Sequence, residues 1–166
     1  MKRGLPMNQA AAKTNAMRLL DTAGVAYFGH SYEAGDGKID GVSVANKMGF
    51  PVEKVFKTLV TIGASGGFYV FVIPVATELD LKKAAKAAGE KHIEMCPAKD
   101  LLKYTGYVHG GCSPLGMKKP FSTFIDESAI LLETMIFSAG KIGAQIEAAP
   151  DDLLNQVNGE YVDLAK

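Results

Sequence analysis

Two extended runs joined by a glycine-rich turn fix most of what this chain can become. Lys57-Thr-Leu-Val-Thr-Ile62 leads into Gly63-Ala-Ser-Gly-Gly67, and then into Phe68-Tyr-Val-Phe-Val-Ile73. The β-branched content and the spacing predict a hairpin with a five-residue connection. The second run is apolar throughout, as expected of a strand covered on both faces. Such a strand needs a layer of structure on either side. The apolar stretch from Phe68 to Ala76 is nine residues long and contains Pro74. A membrane span needs about 20, so this stretch belongs in a core and not in a bilayer.

The segments around the hairpin alternate between helix and strand signals. Thr14-Asn15 offers an N-cap, Ala16, Leu19, Leu20 and Ala23 follow at helical spacing, and Gly24 closes the turn. Val25 to Tyr32 reads as a strand and Val42 to Met48 as a short helix. Asp80 caps a helix from Leu81 to Ala88, and Ile93 to Met95 is a short strand. Pro97 opens a helix through Tyr104, and Tyr107 to His109 reads as a strand. Strands over Thr123–Ile125, Thr134–Phe137 and Gly143–Ile146 follow, with a turn at Ser138-Ala-Gly-Lys141. A last helix begins at Pro150-Asp151. The pattern predicts one α/β (α+β) domain with a mixed sheet.

Length and composition agree with that reading. The chain has 166 residues, 48% apolar and 22% charged, which fits one folded domain and argues against disorder. Residues 1–12 read as a flexible leader and 13–166 as the folded domain. The leader has basic residues but no apolar signal-peptide core, so the expected setting is the cytoplasm. In that reducing compartment Cys96 and Cys112 are not expected to pair. Net charge is zero, yet unevenly spread: 16 Lys/Arg stand against 10 Asp/Glu up to Lys119, and 2 against 8 after it. A polyanion is one reading of the basic part and a solvated surface the other. With Arg3 and Arg18 the only arginines, contact to phosphate would rest on lysine.

Familiar catalytic patterns fail on inspection. His92-x3-Cys96 and His109-x2-Cys112 resemble metal-ligand pairs, but one pair spans a strand edge and a helix start, and no metal is expected. Asp36-Gly-Lys-Ile-Asp40 lacks the acidic residues of a calcium loop, since Tyr32 and Ser43 fall at its first and twelfth positions. Gly111-x4-Gly116 is followed by Met117 where a phosphate-binding loop needs lysine. What remains is Lys57 at a strand start, bare backbone at Gly110-Gly111, and hydroxyl, N–H and ammonium in Ser138-Ala-Gly-Lys141. Together they suggest a small pocket of backbone donors and one lysine.

These segments resemble the YbaK/EbsC family. Val55-Phe-Lys57-Thr-Leu-Val60, Ile73-Pro-Val75, Leu79-Asp-Leu-Lys-Lys-Ala84, Thr105-Gly-Tyr107, the stretch from Gly110 to Lys119, Ile125-Asp126 and Ser138-Ala-Gly-Lys141 match in order. The similarity runs from about Lys13 to Leu154. The resemblance implies a mixed β-barrel-like sheet flanked by helices, the fold also found as the editing domain inserted in bacterial prolyl-tRNA synthetases. It implies trans-editing: removal of cysteine mischarged on tRNA(Pro), and of cysteine from Cys-tRNA(Cys), with the substrate's thiol attacking its own ester. An Ala-tRNA(Pro) deacylase and a non-catalytic aminoacyl-tRNA or nucleotide-binding module are the alternatives. Carried over residue by residue, Lys57 is the catalytic group. Tyr32, Thr58, Gly110, Gly111, Ser138, Gly140 and Lys141 bind substrate. The acceptor end of misacylated tRNA(Pro) and prolyl-tRNA synthetase are the implied partners, with no cofactor, metal or membrane. Asp40 departs from relatives that carry a pocket-closing aromatic residue there, and Ile142 from relatives with arginine. The first leaves pocket tightness in question and the second the grip on phosphate.

Overall fold

The computed structural model describes residues 12–166, so all but one residue of the expected leader lies outside the described residues. Among the described residues there are five helices, three of them starting where the sequence offers a side-chain cap and two at a proline. They are α1 (Asn15–Thr22), α2 (Gly41–Met48), α3 (Leu81–Ala88), α4 (Ala98–Thr105) and α5 (Pro150–Val157). Thr14 Oγ1 accepts from Met17 N, Asp40 from Ser43 N, and Asp80 from Lys82 N and Lys83 N. Each satisfies donors that a helix start leaves free. Gly49, Gly89 and Gly106 end α2, α3 and α4 in the left-handed region.

Among the described residues eight strands divide between two sheets. β1 (Phe28–Ser31), β7 (Ala144–Ala148) and β6 (Met135–Lys141) form one, in that order and antiparallel. The other has the order β4-β2-β3-β5-β8, from β4 (Ile93–Met95), β2 (Phe56–Gly63), β3 (Phe68–Pro74), β5 (Ser122–Asp126) and β8 (Glu160–Val162). The β2–β3 hairpin runs as the sequence predicts, with Lys57 opposite Ile73. β5 and β8 join in parallel, which makes the sheet mixed. A single bridge, Val55 to Ile136, ties the two sheets together. The arrangement is the expected mixed α/β domain, with its barrel-like sheet resolved into two sheets that meet along a seam.

β3 is the core strand. Val70, Phe71, Val72 and Ile73 have no exposed surface. Val70 and Val72 pack with Phe56, Val60, Ile125 and Phe137 on one side. Phe71 and Ile73 pack with Leu79, Ala84, Phe124 and Leu164 on the other. This is the double coverage that the apolar run predicts.

Three local expectations need correction, and two elements go unpredicted. β1 starts at Phe28 because Val25 N–H is taken by Leu20 O at the end of α1 (3.0 Å). Tyr107–His109 is loop, not strand: Gly106 and Gly110, at φ +86° and +87°, bend the chain at both ends, and Tyr107 Oη donates to Leu115 O. Ser138–Lys141 is not a turn but the end of β6, where the register shifts. Gly140, at φ +93°, forms that bulge against the Tyr107 ring. β8 and the 3₁₀ turn Glu127–Leu131 carry no sequence signal strong enough to call.

Candidate functional site

The seam between the sheets opens into a cleft of about 370 Å³. β2 supplies its floor through Phe56 to Leu59. The segment after β1 gives Tyr32, the start of α2 gives Ile39 and Asp40, and β6 and β7 give Ser138 and Gln145. Leu101 of α4 and the loop residues His109, Gly110 and Cys112 complete the wall.

Around Thr58, between the Val55–Ile136 bridge and the start of β4 pairing, the outer edge of this floor has no strand paired to it among the described residues. Val75 N donates to Val55 O and Gly63 N to Gly67 O, at 2.9 and 2.8 Å. Antiparallel pairing alternates, so Lys57 and Leu59 bond toward β3, while Phe56, Thr58 and Val60 turn their backbone groups the other way. Val60 O accepts from Cys96 N (2.9 Å), and β4 pairs only from Thr61 onward. The N–H and C=O of Thr58 therefore face the cleft.

Side chains add to this unmet polarity. Tyr32 Oη, Thr58 Oγ1 and Gln145 Oε1 are buried, without a hydrogen-bond partner among the described residues, and all three belong to the cleft. Buried polar atoms without partners are rare and costly. Three on one cavity mark a place built for a polar ligand. The Lys57 ammonium has no ion pair or hydrogen bond among the described residues. Burial lowers its pKa, with Glu78 opposing the shift. Ser138 Oγ accepts from Gly140 N (3.1 Å), which leaves its O–H free to donate. Burial pushes the Cys112 thiol up to about 12, so it stays protonated. Asp40 is committed to capping α2: hydrogen bonds with the Ser43 side chain and from Ser43 N hold its carboxyl low.

Lys57, Tyr32, Thr58, Gly110 and Ser138 thus converge on one cleft. Gly111, Gly140 and Lys141 do not line it. Gly111 N–H is spent on Val108 O (3.0 Å). Gly140 and Lys141 lie on a second cleft, of about 520 Å³, beside the β6–β7 connection. Next to Asp40, Ile39 packs against bare backbone: a β-carbon on Gly110 would meet Ile39 Cδ1 at 2.7 Å and Ile142 Cγ1 at 3.7 Å. Sequence reasoning misses Gln145. In Ala144-Gln-Ile-Glu-Ala148 the polar positions alternate as if facing water, yet Gln145 is 7% and Glu147 0% exposed. Polar residues on alternate positions of a strand were the available signal.

Among the described residues no group of three or more His, Cys, Asp or Glu could hold a metal ion. No described helix is long and apolar enough to cross a membrane.

Comparison with known proteins follows the same direction. The aminoacyl-tRNA editing domain matches residues 40–155, and the chain belongs to that family. EbsC of Enterococcus faecalis, named as a candidate Cys-tRNA(Pro)/Cys-tRNA(Cys) deacylase, is 46% identical over 152 residues, covering 92% of this chain and 93% of that one. The crystal structure of a candidate trans-editing enzyme for prolyl-tRNA synthetase superposes with a TM-score of 0.81 at 24% identity, covering 94% of this chain and 99% of the other. A hypothetical protein, APE2540, superposes with a TM-score of 0.82 at 19% identity, covering 90% and 97%. These two likenesses establish the fold.

Proposed function

We propose that this protein is a trans-editing deacylase that removes cysteine from mischarged tRNA(Pro), and from Cys-tRNA(Cys). The observation that carries the reading is the convergence of Tyr32 Oη, Thr58 Oγ1 and Gln145 Oε1, all unpartnered, on a cleft with an uncommitted lysine. An aminoacyl ester has the groups they need: an ammonium and ribose hydroxyls to donate, a carbonyl and phosphate to accept.

The chemistry asked of the protein is positioning. The cleft's own thiol, Cys112, is protonated, and no histidine is among the causes that shift it. A nucleophile is better found in the substrate. Its cysteine sulfur attacks its own ester carbonyl, the bond from that carbon to the ribose oxygen breaks, and the ribose oxygen takes the thiol proton. The product is a cyclic thiolactone that water later opens. A free thiol has a pKa near 8.5 and needs little activation. Holding sulfur and carbonyl together supplies the rate. The Thr58 backbone N–H and the Ser138 hydroxyl are the donors for the developing oxyanion, and Lys57 holds the negative charge of the tRNA 3′ end.

Serine on the same tRNA tests this. Its hydroxyl is almost wholly un-ionised at neutral pH, whereas a bound water would treat the two esters within about 1–2 kcal/mol. Fast loss of cysteine, slow loss of serine and a trappable thiolactone are expected. Equal rates, with ¹⁸O from solvent in the first-released product, would show water to be the nucleophile. Faster loss of alanine than of cysteine from tRNA(Pro) would favour the alanine-specific alternative. Binding without release of any amino acid would favour a non-catalytic module.

A further inference from the structure

We infer that the outer face of α4, with the Gly116–Lys119 segment docked on its end, is the seat of a nucleic-acid duplex: the acceptor arm of the tRNA whose 3′ end enters the cleft. This rests on the deacylase reading. Lys99 and Lys103 stand four apart on α4 and so share a face. Leu101 and Thr105 are the helix's buried residues, and Leu101 also lines the cleft. Lys118 joins the two lysines: its backbone N–H donates to Thr105 O (3.1 Å) and its Nζ to Lys103 O (3.3 Å). Lys119 follows, and all four are exposed.

Two features together mark these lysines: no carboxylate neutralises them, and, unlike the similarly free Lys82 and Lys86 of α3, they sit on and against the helix that gives Leu101 to the cleft. Lys13, Lys47, Lys54, Lys83 and Lys166 are each held by a carboxylate. Lys99, Lys103, Lys118 and Lys119 meet none among the described residues. Lys103 Nζ rests 5.2 Å from the Tyr104 ring centroid, a contact compatible with phosphate binding. Asp100, the acidic residue of α4, acts on the Cys96 thiol, whose pKa it helps to raise after burial. Leu102, next to Lys103, and Val108, just before the cleft residues His109 and Gly110, are 53% and 48% exposed and offer apolar surface to riboses. A run of unpaired cations continuous with the cleft wall matches a regular run of phosphates, which a protein or a lipid surface would not supply from one end of the cleft.

The test compares K99Q/K103Q/K118Q/K119Q with wild type on two substrates, full-length Cys-tRNA(Pro) and the cysteinyl ester of a CCA trinucleotide. On the tRNA, KM should rise roughly tenfold or more with kcat nearly unchanged, and the slope of log KM against log salt should fall by about 3. On the trinucleotide ester both constants should stay within twofold. K82Q/K86Q, on exposed lysines of α3, should behave as wild type on both. An unchanged KM on the tRNA, equal losses on both substrates, or the same effect from the α3 pair would overturn the assignment. If wild type cleaves neither substrate, the deacylase reading fails by itself. The surface is then judged by binding of uncharged tRNA(Pro), which the quadruple variant must lose and the α3 pair must keep.

Discussion

Ile39 and Gly110, both in the lining of the cleft, touch each other: a β-carbon on Gly110 would stand 2.7 Å from Ile39 Cδ1. Gly110 also sits at φ +87°, where an L side chain is strained. The contact joins the end of the 33–39 loop to the loop after α4. Lys47 braces the former, with its Nζ donating to Glu33 O, Asp36 Oδ1 and Lys38 O at 2.6, 2.7 and 2.9 Å.

Gly110→Ala should therefore cost about 1 kcal/mol from backbone strain and push Ile39 off its seat. Deacylation should fall at least tenfold. Adding Ile39→Ala should recover part of the activity but not the stability, since it relieves the clash and leaves φ strained. Identical kinetics for the single and double variants would refute this account of the contact.

Lys57→Ala should nearly abolish deacylation while leaving the melting temperature close to wild type. Lys57 has no partner to orphan in the free protein, and removing a charge-assisted contact to phosphate or oxyanion costs roughly 2–4 kcal/mol of transition-state binding. Retention of more than about a third of wild-type kcat/KM lies far outside that range and would exclude Lys57 from the chemistry.

Thr58→Val gives opposite signs for folding and function. Valine keeps the shape and removes a buried hydroxyl that has no partner in the free protein. Folding should be unchanged or more favourable by up to ~1 kcal/mol, while kcat/KM drops. Urea midpoint and single-turnover rate, measured on one preparation, decide it. A variant both less stable and fully active would show that Thr58 Oγ1 packs and does not bind.

Much of this site is legible in the sequence, and the remainder is hidden for identifiable reasons. Lys57, Thr58, Gly110 and Ser138 sit in local patterns that survive folding: a strand start, a glycine pair, a polar end to a strand. Gly111, Gly140 and Lys141 share those patterns, but the bulge at Gly140 takes it and Lys141 to the second cleft, and the turn at Gly110 commits the Gly111 N–H to Val108 O. Gln145 and Glu147 are hidden by the assumption that alternating polar residues face water. The burial of Glu147 depends on partners more than 80 residues away, Lys54 and His30, and that of Gln145 on the strand it pairs with, where His30 lies opposite it. The β2–β3 hairpin is legible because its signals are local, whereas β8 pairs in parallel with β5 and has no local counterpart.

Glu147 supplies a pH-dependent prediction. It has no exposed surface and receives Lys54 Nζ at 2.9 Å, His30 Nε2 at 2.8 Å and Thr134 Oγ1 at 2.5 Å. Burial would raise its pKa, but the hydrogen bonds from Thr134, His30 and Lys54 outweigh it and hold the carboxyl at about 2. A folded value below the unfolded 4.5 means stability that is complete above pH 4.5 and lost as pH falls toward 2. Glu147→Gln should cost roughly 2–3 kcal/mol at neutral pH, at the low side for a broken buried pair because Lys54 keeps some solvent. The difference from wild type should shrink steadily between pH 4.5 and pH 3 in urea melts. A gap that stays constant over that interval would assign the stability to packing.

Lys57 and Thr58 reach the cleft from opposite faces of one strand. Phe56 and Val60 share the Thr58 face and pack into one core, while Leu59 shares the Lys57 face and packs into the other. Charge and hydroxyl are thus dealt to the site by parity. One residue added between Val55 and Thr58 would exchange odd for even and put the wrong group on each side. Two would restore the order but carry it about 6–7 Å along the strand. The site tolerates changes of letter here far better than changes of count.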